Sequence, residues 1–105
     1  MDVDREIDQG LRAAIAGRRL VTFSYQGRPR KVEPHDYGIS KGKVRLFCYQ
    51  IGGESRSGKL PDWRLLDVVD IAGLQLTDEI FPGGRAVSAA PMEWQTLFAS
   101  VSRKV

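Results

Sequence analysis

Between residues 20 and 77 the chain is cut into five short runs by turn pairs such as Gln26-Gly27 and Lys41-Gly42. That punctuation leaves little room for anything but antiparallel strands joined by tight turns. Residues 20–25 alternate, with Val21, Phe23 and Tyr25 on one side and Thr22 and Ser24 on the other. Residues 28–40 are less regular. Pro29, Pro34 and Gly38 stand where a central strand would lose ladder hydrogen bonds, so a long, bent or broken strand is expected there. Residues 43–51 make a third run and 63–69 a fourth. In the fifth, 73–77, Leu74 and Leu76 alternate with Gln75 and Thr77.

The periodicity changes at both ends. Ile7, Leu11, Ala14 and Ile15 recur at helical spacing after an Asp4 cap, and Gly17 follows as a stop, which predicts a helix over 5–16. Near the other end Pro91 suits a first helical turn, Trp94, Leu97, Phe98 and Val101 share one helical face, and Arg103 and Lys104 favour a C-terminus. These features predict a second helix over 91–103. The fold expected is mainly β with flanking helices: an N-terminal helix, a five-stranded, strongly bent antiparallel barrel of the SH3/Sm-like kind over 19–77, and a C-terminal helix. A length of 105 residues accommodates one such domain. Residues 81–90 are the one stretch loose enough to act as a hinge.

Composition narrows the function classes. No stretch approaches the roughly 20 apolar residues that cross a bilayer, and the acidic start MDVDREID has no apolar core of signal-peptide length, so a cytoplasmic location without membrane contact is expected. Cys48 is the only cysteine and His35 the only histidine, so neither an internal disulfide nor a Cys/His zinc site can form, and no metal or cofactor is expected. Cys48 fits as a small buried hydrophobe. A Ser-His-Asp arrangement would have to use His35, Asp36 and Ser55 or Ser57. Neighbours on an extended chain point to opposite faces, which leaves Asp36 badly placed to orient His35. No enzymatic activity is expected, and His35 is assigned to the surface or a strand edge.

The net charge is only +3, but the positive residues are concentrated. Residues 28–64 hold Arg28, Arg30, Lys31, Lys41, Lys43, Arg45, Arg56, Lys59 and Arg64. Within them the stretch GGESRSGK offers the hydroxyls of Ser55 and Ser57, glycines that let backbone N–H groups approach closely, and Arg56 for bidentate phosphate binding. It is not a phosphate loop, because Leu60 follows Lys59 where Ser or Thr is required. Either the loop binds anions or it is a plain polar hairpin loop. Arg45 and Arg64 sit inside strands, where each needs solvent, a ligand, or a carboxylate such as Glu33, Asp62, Asp67 or Asp70. Trp63, beside Arg64, and Tyr37 are candidates for stacking on a base, with core packing as the other reading.

From about residue 11 to residue 81 the chain resembles the WYL domain of bacterial transcriptional regulators and defence-associated proteins. The resemblance is carried by RRLVTFSY, by VEPHDYGIS with Pro34, by GKVRLFCYQ, and by DWRLLDVVDI leading to Phe81. The tripeptide that names the family falls on Val44-Arg45-Leu46, which keeps only Leu46. Trp63 and Arg64 match the family's aromatic-basic pair, while its second arginine falls on Asp67. The resemblance implies a stand-alone, degenerate WYL-like domain without a DNA-binding domain of its own. Transcriptional regulation would then require a separate DNA-binding partner protein. Two functions follow. One is a regulatory or sensing module that binds a phosphate-bearing ligand, such as a nucleotide, or single-stranded nucleic acid through Arg45, Ser55, Arg56, Ser57, Lys59 and Arg64. The other is a protein-interaction or homo-oligomerisation module that uses strand edges and the C-terminal helix.

Overall fold

The computed structural model describes residues 4–54, 59–83 and 93–101. Helix α1, Arg5–Gly17, starts where expected because the Asp4 carboxylate accepts from the N–H groups of Glu6 and Ile7 at 2.8 and 3.2 Å. It buries Leu11, Ala14 and Ile15 against the sheet. Gly17 is the last helical residue and not the stop. Arg18 takes the left-handed conformation, and its N–H closes the helix on the carbonyls of Ala14 and Ile15.

Strands β1 (Arg19–Tyr25), β2 (Arg28–Ser40) and β3 (Lys43–Gly53) follow. Two-residue turns join them. Gln26 and Gly27 have φ of 52° and 79°, and Lys41 and Gly42 have 51° and 74°, the positive values that match the twist of paired strands. Strand β4 (Asp62–Asp67), a 3-10 turn at Val68–Asp70, β5 (Ile71–Ile80) and β6 (Thr96–Ser100) complete the chain. The sheet is antiparallel, in the order β4-β3-β2-β1-β5, with β6 added to β2.

Two fold expectations are corrected. The sheet is unclosed, with six strands and not five, since β4 and β5 pair on one side only. It is nevertheless curled: the Tyr25 hydroxyl of β1 accepts from the Asp67 N–H of β4 at 3.0 Å, although three strand spacings, roughly 14 Å, would separate them in a flat sheet. The second correction concerns the C-terminal helix. Residues 93–101 hold strand β6, Thr96–Ser100, and no helix; Pro91, Arg103 and Lys104 lie outside the described residues.

The reason lies in β2. Strand β3 lines one edge of β2 from Arg30 to Ser40, while β1 covers the other edge only from Arg28 to Val32. The rest of that edge needs partners, and β6 supplies them opposite Asp36–Ile39. Gln95 N–H donates to Ile39 and Val101 N–H to His35. Gly38 is required at this crossing, because a β-carbon there would collide with the Thr96 carbonyl. Of the predicted apolar stripe, Val101 is buried and Phe98 packs edge-on against Tyr37, but Leu97 is 48% exposed. Phe81, expected to open a hinge, is buried and donates its N–H to the Arg18 carbonyl.

Candidate anion-binding site

Strand parity sorts the basic residues. Opposite pairs in β3 and β4 are Arg45 with Asp67, Phe47 with Leu65 and Tyr49 with Trp63, alternating with Leu46–Leu66, Cys48–Arg64 and Gln50–Asp62. Leu46, Cys48 and Leu66 belong to the core, so Arg64 is on the inner face and Arg45 on the outer one. These two arginines, expected to line one surface, are on opposite sides of the sheet. Each has an aspartate nearby: Arg45 Nε is 3.1 Å from Asp67 Oδ1, and Arg64 Nη1 is 3.6 Å from Asp62 Oδ2.

The residue that joins Arg64 is Arg30. It lies opposite Phe23 on β1 and is 7% exposed. Arg30 Nη1 donates to Gln50 Oε1 at 3.0 Å, and Arg64 Nε points to the same oxygen at 3.4 Å. Gln50 is fully buried, and its amide orientation is dictated by the backbone: Nε2 donates to the carbonyls of Gly52 and Glu54 at 3.0 and 3.1 Å. Its oxygen therefore faces the two guanidiniums. The Arg30 guanidinium also lies over the Tyr25 ring, 5.3 Å from its centroid.

This inner-face cluster is short of negative charge. Among the described residues no carboxylate lies within ion-pair distance of Arg30, and its Nε is buried without a hydrogen-bond partner. Burial, and after it the neighbouring charge of Arg64, holds Arg30 below the ordinary arginine range. Arginine still remains protonated at physiological pH. A buried cation beside a second cation, with an amide oxygen as acceptor, is an arrangement that a bound anion would relieve.

The cluster also grips both stems of the 55–58 loop. Glu54 contributes its carbonyl to Gln50, and Lys59 contributes its carbonyl to Arg64 Nη2 at 3.1 Å. Ser55, Arg56 and Ser57 themselves lie outside the described residues, and Lys59 is exposed.

The aromatic candidates are differently placed. Tyr37 is fully buried, its hydroxyl donating to Asp8 Oδ1 at 2.6 Å and its ring packed against Phe98, so it presents no face for a base. Trp63 is half-buried on the outer face. Phe47 stacks on it at 4.8 Å and 7°, while Tyr49 and His35 meet it edge-on. His35 is not at the surface as expected. It is fully buried, with rings of Trp63 and Phe81 against it and Nε2 at 3.5 Å from Glu33 Oε1. Asp36 is turned to Ser100, whose hydroxyl donates to it at 2.6 Å.

The sequence held one unused signal for Arg30. A two-residue turn at Gln26-Gly27 places Phe23 opposite Arg30, so an inward Phe23 entails an inward Arg30. No family model matches the chain, and no curated protein or solved structure does either. Among the described residues no group of His, Cys, Asp and Glu could hold a metal ion, and no helix is long and apolar enough to cross a membrane.

Proposed function

We propose that this chain is a non-enzymatic sensing module of the WYL kind, binding a phosphate-bearing ligand at the Arg30–Arg64 end of the sheet. The observation that carries the reading is Arg30: 7% exposed, beside a second arginine, and with no carboxylate in reach among the described residues. A phosphate oxygen there would gain charge-assisted hydrogen bonds from guanidinium groups already oriented by Gln50. The adjacent loop adds Ser55, Arg56 and Ser57 as candidate donors by sequence. The WYL resemblance supports a regulatory setting.

Calorimetric titration with pyrophosphate tests it. The parent should bind saturably, Arg30→Gln should weaken binding by about 1.5 to 3 kcal/mol, and exposed Arg5→Gln should leave it unchanged. Equal losses in both variants would reduce the effect to diffuse attraction by a basic protein. A parallel titration with a short single-stranded oligonucleotide distinguishes the nucleic-acid version: tighter binding than pyrophosphate, lost on Trp63→Ala, would favour it. The alternative of assembly through strand edges keeps one observation, the outer sides of β4 and β5, which pair with no strand among the described residues. A mass that rises with concentration in light scattering would support that reading.

A further inference from the structure

The outer face contains a second concavity that the phosphate reading does not use. Ser40 and Lys41 of the β2–β3 turn, Arg45 of β3, Leu65 of β4 and residues Glu93, Trp94 and Gln95 enclose a groove of about 620 Å³. That is the size range of small-molecule sites. From it we infer that this groove binds a small aromatic carboxylate: a flat apolar body carrying a single anionic group.

The wall is preformed. Gln95 is tied to the sheet twice, through its N–H to the Ile39 carbonyl at 2.7 Å and through its Oε1, which accepts from the Gly42 N–H at 2.6 Å. These bonds fix the backbone next to Trp94. The half-buried Trp94 and Leu65, 38% exposed, supply apolar surface for a ring. An exposed aliphatic side chain and an aromatic one on the same groove are the usual apolar lining of a ligand cleft.

The anion is placed by Arg45. Its Nε is held by Asp67, which also lies 3.9 Å from Lys43 Nζ. Only Nε makes that bond, so the guanidinium is oriented while, among the described residues, its two terminal nitrogens stay available for a bidentate contact. Lys41, exposed in the turn, adds a second cation. Charge sets the valence of the ligand. Among the described residues Lys41, Arg45 and Glu93 line the groove, and the Lys43–Asp67 pair beside Arg45 adds no net charge, so one positive charge is in excess, which suits a monoanion and disfavours a polyphosphate. The groove and the Arg30–Arg64 cluster thus differ in chemistry as well as in face.

Titration of the full chain with 2-naphthoate, followed by ¹H–¹⁵N correlation spectra, tests the inference. The Trp94 indole N–H and the Leu65 and Gln95 amides should shift saturably, with the indole resonance assigned through Trp94→Phe. The neutral isostere 2-naphthalenemethanol should bind about tenfold more weakly, and Arg45→Gln should weaken naphthoate to a similar extent. Lys41→Asn, which tolerates the left-handed turn, repeats the charge test should Arg45→Gln fold poorly. Absence of saturable shifts would overturn the inference. So would equal binding of acid and alcohol, or shifts confined to the Trp63 indole and the strand around Arg30.

Discussion

Arg45 and Arg64 are strand arginines on neighbouring, directly paired strands, and each has an aspartate nearby. Their surroundings nevertheless differ in kind. Arg45 faces outward, where it pairs with Asp67 at the rim of a groove. Arg64 faces inward, where it shares the Gln50 oxygen with the nearly buried Arg30. One step of strand parity separates an ion pair on the outer face from two guanidiniums that share one amide oxygen. Identical side chains in identical secondary structure therefore have different surroundings, and the register assigns them.

Substitution at the paired positions should produce the largest divergence. Arg64→Gln should weaken pyrophosphate binding at least tenfold, whereas Arg45→Gln should change it less than about twofold, as calorimetry at low salt would show. Comparable losses would erase the distinction between the faces. Gln50→Leu comes next. It removes the acceptor between the guanidiniums and the donor to two carbonyls, and should cost about 1 to 3 kcal/mol in urea unfolding. No loss would mean that the Gln50 hydrogen bonds add nothing to the fold.

A smaller effect comes from the α1–β2 contact. The Tyr37 hydroxyl first, and Arg12 after it, hold the Asp8 carboxyl below its ordinary pKa against the opposing effect of burial. A depressed folded-state pKa adds stability above the unfolded value of about 3.9, and that contribution is lost as pH falls through the folded value. Tyr37→Phe should therefore cost about 1 to 2 kcal/mol at neutral pH, and its deficit should close in acid. A deficit constant with pH would assign the loss to packing. Asp67→Asn should have the least effect, below about 1 kcal/mol and reduced further by salt.

Local patterns were legible where one element settles its own structure. The Asp4 cap and the spacing of Leu11, Ala14 and Ile15 define α1, and positive-φ pairs at Gln26-Gly27 and Lys41-Gly42 define two hairpins. The C-terminal segment was not legible. Trp94, Leu97, Phe98 and Val101 satisfy a helical period, but their conformation is set by the unpaired edge of β2, a demand made nearly sixty residues away. The site divides in the same way. Basic residues at 28–64 and the loop chemistry could be read directly, whereas the convergence of Arg30 with Arg64 depends on combining two hairpin registers. Tyr37 was open between stacking and core packing, and the choice falls to packing through partners, Asp8 and Phe98, that come from elements at opposite ends of the chain.

The central claim is that Arg30 is held in the inner cluster for an anion and not for the fold. Thermal unfolding of the parent and of Arg30→Met, each with and without pyrophosphate, tests it most directly. Methionine keeps much of the apolar stem and removes the buried charge, and Gln50 retains Arg64 as a donor. The account predicts that Arg30→Met melts at the parent's temperature or above it, and that pyrophosphate raises the Tm of the parent alone. A variant that melts well below the parent and gains as much from pyrophosphate would contradict it.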